Sequence, residues 1–174
     1  MSAILKALAK VDFEDLMNDS RVIAVAEEIQ TSVAKKSRAR DTRTPEQVIE
    51  DSMKGIALEY AVYEKLLALE TVYGFKVTLA ETKDHDIVIK RNGKCVMIDV
   101  KGQFERSGGQ WITQTPWEAM NAVDDTIYLV FDARTSTVAK FLGWCYGFNF
   151  TPSKYAGSGP YIGVHKLIND DTFF

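Results

Sequence analysis

Apolar and polar positions alternate most plainly along residues 86–102, DIVIKRNGKCVMIDVKG, two β-rich runs joined by Asn92-Gly93. Asn-Gly between alternating apolar runs is the strongest short-range signal for a two-residue type I′ hairpin. With Asn92 and Gly93 as the loop, Arg91 faces Lys94, Ile89 faces Val96, Val88 faces Met97, Ile87 faces Ile98 and Asp86 faces Asp99. Val88, Cys95 and Met97 then share a face with the aspartates, and Ile87, Ile89, Val96, Ile98 and Val100 share the other. Apolar residues on both faces imply a sheet covered on both sides by helices.

The pattern of the remaining chain predicts the surrounding elements. Residues 2–10 and 13–40 read as helices, with Asp12 as N-cap of the second and a break near Asn18-Asp19-Ser20, where Ser20 caps a further helix. Thr44-Pro45-Glu46-Gln47 is a capping box with proline at the first helical position, opening a helix that runs to about Tyr73 and stops at Gly74. Residues 75–80 alternate as a strand before the hairpin. Ser107-Gly108-Gly109 marks a loop, and Thr115-Pro116-Trp117-Glu118 opens a short helix to about Val123. Residues 126–132 read as a buried strand and 138–146 as its neighbour. An aromatic, Gly- and Pro-containing stretch follows, with a last short strand at 162–168. The expected fold class is therefore α/β, a central mixed β-sheet flanked by helices in the order αβββαβ, with an N-terminal helical extension. The expected organisation is one domain, residues 1–174: an N-terminal helical extension at 1–43, a core at 44–146 and an aromatic, Gly-rich C-terminal extension at 147–174.

Composition changes this picture little. With 46% hydrophobic and 26% charged residues the chain has an ordinary globular make-up. No apolar run reaches the ~20 residues of a membrane-spanning helix, and Lys6 and Lys10 interrupt the apolar residues at the N-terminus, unlike a signal peptide. The expectation is a cytoplasmic protein without a membrane partner, a phage or mobile-element source included. Cys95 and Cys145 fall in predicted strands and read as buried thiols of a reducing compartment. A net charge of −3 gives no global pull toward nucleic acid. Only the local run Lys35, Lys36, Arg38, Arg40 and Arg43 does, and it reads either as a solvated helix end or as a phosphate-contacting patch.

The candidate chemistry lies in the hairpin. Two carboxylates directly opposite each other repel, and the Asp86/Asp99 register makes them a non-hydrogen-bonded pair with Cα atoms about 4.5 Å apart. A hard divalent cation turns that repulsion into attraction, and Mg²⁺ is typically held by one or two carboxylates plus substrate phosphates. Lys101 lies on the same face and can contact phosphate or orient water.

A helix bearing Glu59 (GIALEYAVYEKL), then a hairpin carrying Asp86 (HDIVIK) and Asp99-Val100-Lys101 (MIDVKG), resembles the PD-(D/E)xK nuclease superfamily of the restriction-endonuclease-like fold. The resemblance covers roughly residues 45–132. It departs from the family's usual pattern at His85, where proline often precedes the first aspartate. By that likeness Asp86 and Asp99 would bind Mg²⁺ or Mn²⁺ with the Val100 backbone carbonyl. Glu59 would complete the outer shell or bind a second ion, and Lys101 would help activate the attacking water. The implied activity is metal-dependent hydrolysis of phosphodiesters, with DNA as the expected substrate and endonucleolytic cutting as the expected mode. Gln103, Trp111 and Gln114, near the site, and the basic run from Lys35 to Arg43 are candidate nucleic-acid contacts. The competing reading is a catalytically silent module of the same fold that binds nucleic acid or protein, or serves in an assembly. The terminal extensions would also suit a homodimer.

Overall fold

The computed structural model describes residues 2–35, 44–80, 86–105, 108–114, 125–154, 159–170 and 172. Its centre is a six-stranded mixed sheet in the order β1-β7-β6-β4-β3-β2, in which only β4 and β6 run parallel. The strands are β1 (Lys10–Asp12), β2 (Lys76–Leu79), β3 (Ile87–Arg91), β4 (Lys94–Gln103), β6 (Ile127–Asp132) and β7 (Val138–Tyr146). A small second sheet pairs β5 (Trp111–Thr113) with β8 (Tyr161–Gly163). Helices α1 (Ala3–Leu8), α2 (Ser20–Lys35), α3 (Pro45–Leu67) and α4 (Glu70–Tyr73) complete the set. The expected α/β class, a mixed sheet with helices against it, is the observed one.

The hairpin forms in the expected register, from Arg91↔Lys94 to Ile87↔Ile98. Asn92 and Gly93 carry φ of 49° and 75°, the two positive values that a type I′ turn requires. The capping box is also as expected: Thr44 Oγ1 accepts the Gln47 N–H at 3.3 Å, and Gln47 Oε1 accepts the Thr44 N–H at 3.0 Å.

One apolar core lies between helices and sheet. It joins Ile4 and Leu8 of α1, Val22 and Ala26 of α2 and Ile56, Leu58 and Val62 of α3 to Ile87, Ile89, Ile98, Val100, Leu129 and Phe131 of the sheet. The other face of the sheet has its own cluster, in which Tyr128, Val130 and Cys145 meet Ile112 of β5, Ile162 of β8, Phe150 and Leu167. Among the described residues, the cover over this face is therefore the small sheet and the C-terminal segment. The helix expected at 116–123 lies outside the described residues.

Several local expectations are corrected. The first helix ends at Leu8, because Lys10–Asp12 pairs with Val138–Lys140 as an edge strand that three residues of sequence could not announce. A 3-10 turn, Asp15–Asn18, occupies the start of the expected 13–40 helix, and Asp12 caps only locally, its Oδ1 accepting the Glu14 N–H at 3.1 Å. The long helix is interrupted after Leu67 and resumes at Glu70, before Gly74 ends it in the left-handed region at φ 65°. Trp111–Thr113 is a short strand where the pattern assigned no element, and the last strand is only Tyr161–Gly163, followed by a 3-10 turn. Cys95 is exposed and Val88 and Met97 are half-buried, so the tip of the hairpin stands clear of the cover on the aspartate face; burial there begins at Asp99.

Candidate functional site

Strand β3 begins at Ile87, opposite Ile98 and one residue short of Asp99, and this offset shapes the site. At Asp86 the ladder departs from the ideal pattern: its N–H donates to the Ile98 carbonyl at 2.8 Å and its own carbonyl accepts from Ala80 N–H at 2.9 Å. Among the described residues no β3 backbone lies beyond it to meet Val100. The Asp86 carboxylate takes that place, Oδ2 accepting the Val100 N–H at 2.6 Å. The carboxylate is thereby held against the Asp99–Val100 peptide, at the edge of β4. Within a strand, the N–H and C=O of one residue point to the same side, so the Val100 carbonyl faces that edge as well.

Asp99 is 4% exposed. Its Oδ1 lies 3.0 Å from Lys101 Nζ, and Lys101 is half-buried on the same face. The lysine also sits over the ring of Tyr128, 5.9 Å from its centroid. Tyr128 is Asp99's partner in the parallel β4–β6 pair, is fully buried, and its hydroxyl accepts from Gln114 Nε2 at 2.7 Å. One strand further, opposite Tyr128, lies Cys145. Burial first, and the nearby Asp99 carboxylate second, push its thiol up to about 12. Such a thiol stays protonated at neutral pH and is inert as a nucleophile.

Gly102 follows Lys101 for a steric reason. A Cβ there would lie 2.4 Å from the Phe104 ring and 3.0 Å from Leu58 of α3. That contact also locates Glu59. Its helix packs on the Val100 side of β4, away from the face of Asp99 and Lys101, and Glu59 itself is half-buried. Among the described residues no three His, Cys, Asp or Glu side chains gather as a group that could hold a metal ion. Glu59 therefore does not join Asp86 and Asp99 as a third close carboxylate.

What remains is two carboxylates and one carbonyl edge, all hard oxygen donors. Mg²⁺ is commonly bound by one or two carboxylates with waters and phosphate oxygens filling the octahedron, so this donor set fits such an ion. Asp86, Asp99 and the Val100 carbonyl are the groups that would hold it.

The other candidates are spread more widely. Gln103 is 2% exposed, with Nε2 donating to the Trp111 carbonyl at 3.4 Å, and Gln114 is 6% exposed and engaged with Tyr128. Both amides are inside the protein, tying β5 to the main sheet. Trp111 is 52% exposed, its ring edge-to-face with Tyr161 at 5.2 Å. Lys35 closes α2, and Lys36, Arg38, Arg40 and Arg43 lie outside the described residues. Tyr128 is the residue that sequence reasoning missed. The alternation of TIYLVFD groups it with Val130 and Asp132, but only the β4–β6 register reveals that this face is Asp99's.

A scan against protein-family models finds no match, and a search of curated proteins finds none.

Proposed function

We propose that this chain is a metal-dependent nuclease that hydrolyses phosphodiester bonds, with DNA as first substrate and internal cleavage as its mode. The observation that carries the reading is the hydrogen bond from Val100 N–H to Asp86 Oδ2 at 2.6 Å, beside the Asp99–Lys101 contact at 3.0 Å. It brings two acidic side chains and a lysine to one stretch of β4, in the pattern of the superfamily that the hairpin resembles. A bound Mg²⁺ or Mn²⁺ would supply Lewis acidity to the phosphate and lower the pKa of water. Asp86 is oriented by its backbone bond, so its second oxygen is directed without loss of side-chain freedom on binding. Asp99 is shielded from solvent, where a carboxylate's charge acts strongly. Lys101, now on Asp99, is the group that would turn to the phosphate and orient water.

A second reading has one observation in its favour. The Asp99–Lys101 contact already neutralises the buried carboxylate, so the fold has no need of an ion to relieve repulsion there. A silent module binding nucleic acid would keep the same pair.

Incubation of the protein with labelled single-stranded, duplex and branched nucleic acids, in Mg²⁺ or Mn²⁺ and in EDTA, tests both. Cleavage that needs the metal supports the nuclease; binding without cleavage under every condition supports the silent module.

A further inference from the structure

Three cross-strand pairs among the described residues set cation opposite cation, Arg91↔Lys94, Lys76↔Lys90 and Lys10↔Lys140, and the last of them lines a cleft. Lys10 of β1 lies directly opposite Lys140 of β7. The Phe13 N–H donates to the Thr137 carbonyl at 3.1 Å and the Phe141 N–H to the Ala9 carbonyl at 3.3 Å. Counting in twos from those bonds makes Lys10/Lys140 a non-hydrogen-bonded pair, the kind in which Cα atoms are only about 4.5 Å apart. Like charges so placed are destabilising.

The two lysines line a cleft of about 330 Å³, together with Asp132, Thr135, Ser136 and Val138. Asp132 does not balance them alone, because Arg134 holds it through two bonds, Nε to Oδ1 at 2.9 Å and Nη2 to Oδ2 at 2.7 Å. Asp12, on the same face of β1, accepts its own chain's Glu14 N–H. Ser136 Oγ accepts the Val138 N–H at 3.0 Å, which leaves its O–H to donate. Two ammonium groups and hydroxyl donors around a cleft of this size suit a tetrahedral oxyanion.

We propose that Lys10 and Lys140, with the Thr135 and Ser136 hydroxyls, form a phosphate-binding site that takes a backbone phosphate of a bound nucleic-acid strand. Its position agrees with that use. Gln103, Asp132, Lys140 and Lys10 stand in one row across β4, β6, β7 and β1, on the face that carries Asp99 and Lys101; the row is buried at Gln103, where the Trp111 segment covers it, and exposed at Lys140 and Lys10. Strands are spaced about 4.8 Å apart, so Lys10 lies on the order of 15 Å across the sheet from β4. One phosphate per strand recurs about every 3.4 Å of duplex axis, and a phosphate some four nucleotides from the one at Lys101 would reach the cleft. Assignment to a strand rests on the proposed nucleic-acid function; the phosphate site itself does not.

The test measures affinity in EDTA, without cleavage, for two probes: pyrophosphate and a short labelled DNA duplex. Wild type is compared with the Lys10→Gln/Lys140→Gln double variant and with Lys10→Arg/Lys140→Arg, which keeps the charge. In the Gln variant both probes are expected to weaken about tenfold, and the slope of log affinity against log salt to shrink by about two, with the Arg variant near wild type. Loss of pyrophosphate affinity alone overturns the strand assignment and supports a site for free phosphate groups. Unchanged affinity for both probes overturns the site. Lysine-dependent binding by a protein that cuts nothing in Mg²⁺ would retire the nuclease and leave this site standing.

Discussion

The carboxylate of Asp86 stands where a strand backbone would otherwise be, accepting the Val100 N–H at 2.6 Å. It is at once a structural cap and the first proposed metal ligand, and two substitutions separate those roles. Asp86→Asn keeps an oxygen that can accept the bond, so its melting temperature without metal should stay near wild type. Its response to Mg²⁺ should vanish, whereas wild type at a hundredfold excess over Kd should gain about 2.7 kcal/mol. Asp86→Ala should in addition lose about 1–2 kcal/mol through the uncapped amide. Thermal melts with Mg²⁺ and with EDTA read both effects; equal metal responses in wild type and Asp86→Asn would remove Asp86 from the site.

Asp99 and Lys101 are unequal partners, their side chains 5% and 21% exposed. Removing the lysine takes a cation away from the deeper charge. Lys101→Met should therefore destabilise more than Asp99→Asn, by on the order of 1–3 kcal/mol in chemical denaturation. Asp99→Asn should abolish metal-dependent cleavage. Lys101→Met should lower kcat roughly a hundredfold or more while retaining the metal-induced rise in melting temperature. Unchanged turnover would take away the lysine's assigned role.

Tyr128 couples the site to its cover through the bond from Gln114 Nε2 to its hydroxyl at 2.7 Å. Tyr128→Phe leaves that amide buried without an acceptor, a cost of about 1–3 kcal/mol. Tyr128→Phe/Gln114→Leu should recover part of it, because neither polar group then remains. A double-mutant cycle by urea denaturation measures the coupling; additive losses would mean that the bond contributes nothing.

Acid should expose the Asp132–Arg134 pair. Arg134's hydrogen bonds hold the Asp132 carboxyl down from 3.8 to about 2. A depressed folded-state value stabilises above the unfolded pKa and is lost as pH falls through the folded one, here between about pH 4 and pH 2. Both side chains are partly exposed, 24% and 38%, so the contribution is expected below about 1 kcal/mol. Arg134→Ala should flatten the stability profile across that window and leave it unchanged at neutral pH apart from the same small loss. A profile in Arg134→Ala as steep as in wild type would contradict the pairing.

The two thiols should differ sharply in reactivity. Cys95 is exposed, while Cys145 is buried and raised to about 12. A thiol reagent at neutral pH should label Cys95 within minutes and Cys145 only on unfolding, which mass spectrometry of the labelled peptides distinguishes.

Sequence alone determined what depends on neighbours within a few residues. Asn92-Gly93 accepts the positive φ of a tight turn, and with the turn set every pair from Arg91↔Lys94 to Ile87↔Ile98 follows by counting. Thr44 and Gln47 could likewise be paired in advance, since both partners lie in one helical turn. Tertiary structure decided whatever depends on distant segments. It decided that Lys10–Asp12 joins the sheet by pairing with β7, that β5 and β8 cover the Asp99 face, and that α3 carries Glu59 along the opposite side of β4. It also decided where the acidic pair stops being a ladder pair, because the bend at Asp86 turns its carboxylate into the plane of the sheet to meet Val100. Local backbone preference is written in adjacent residues; which face is buried, and by what, is settled only when the whole chain closes on itself.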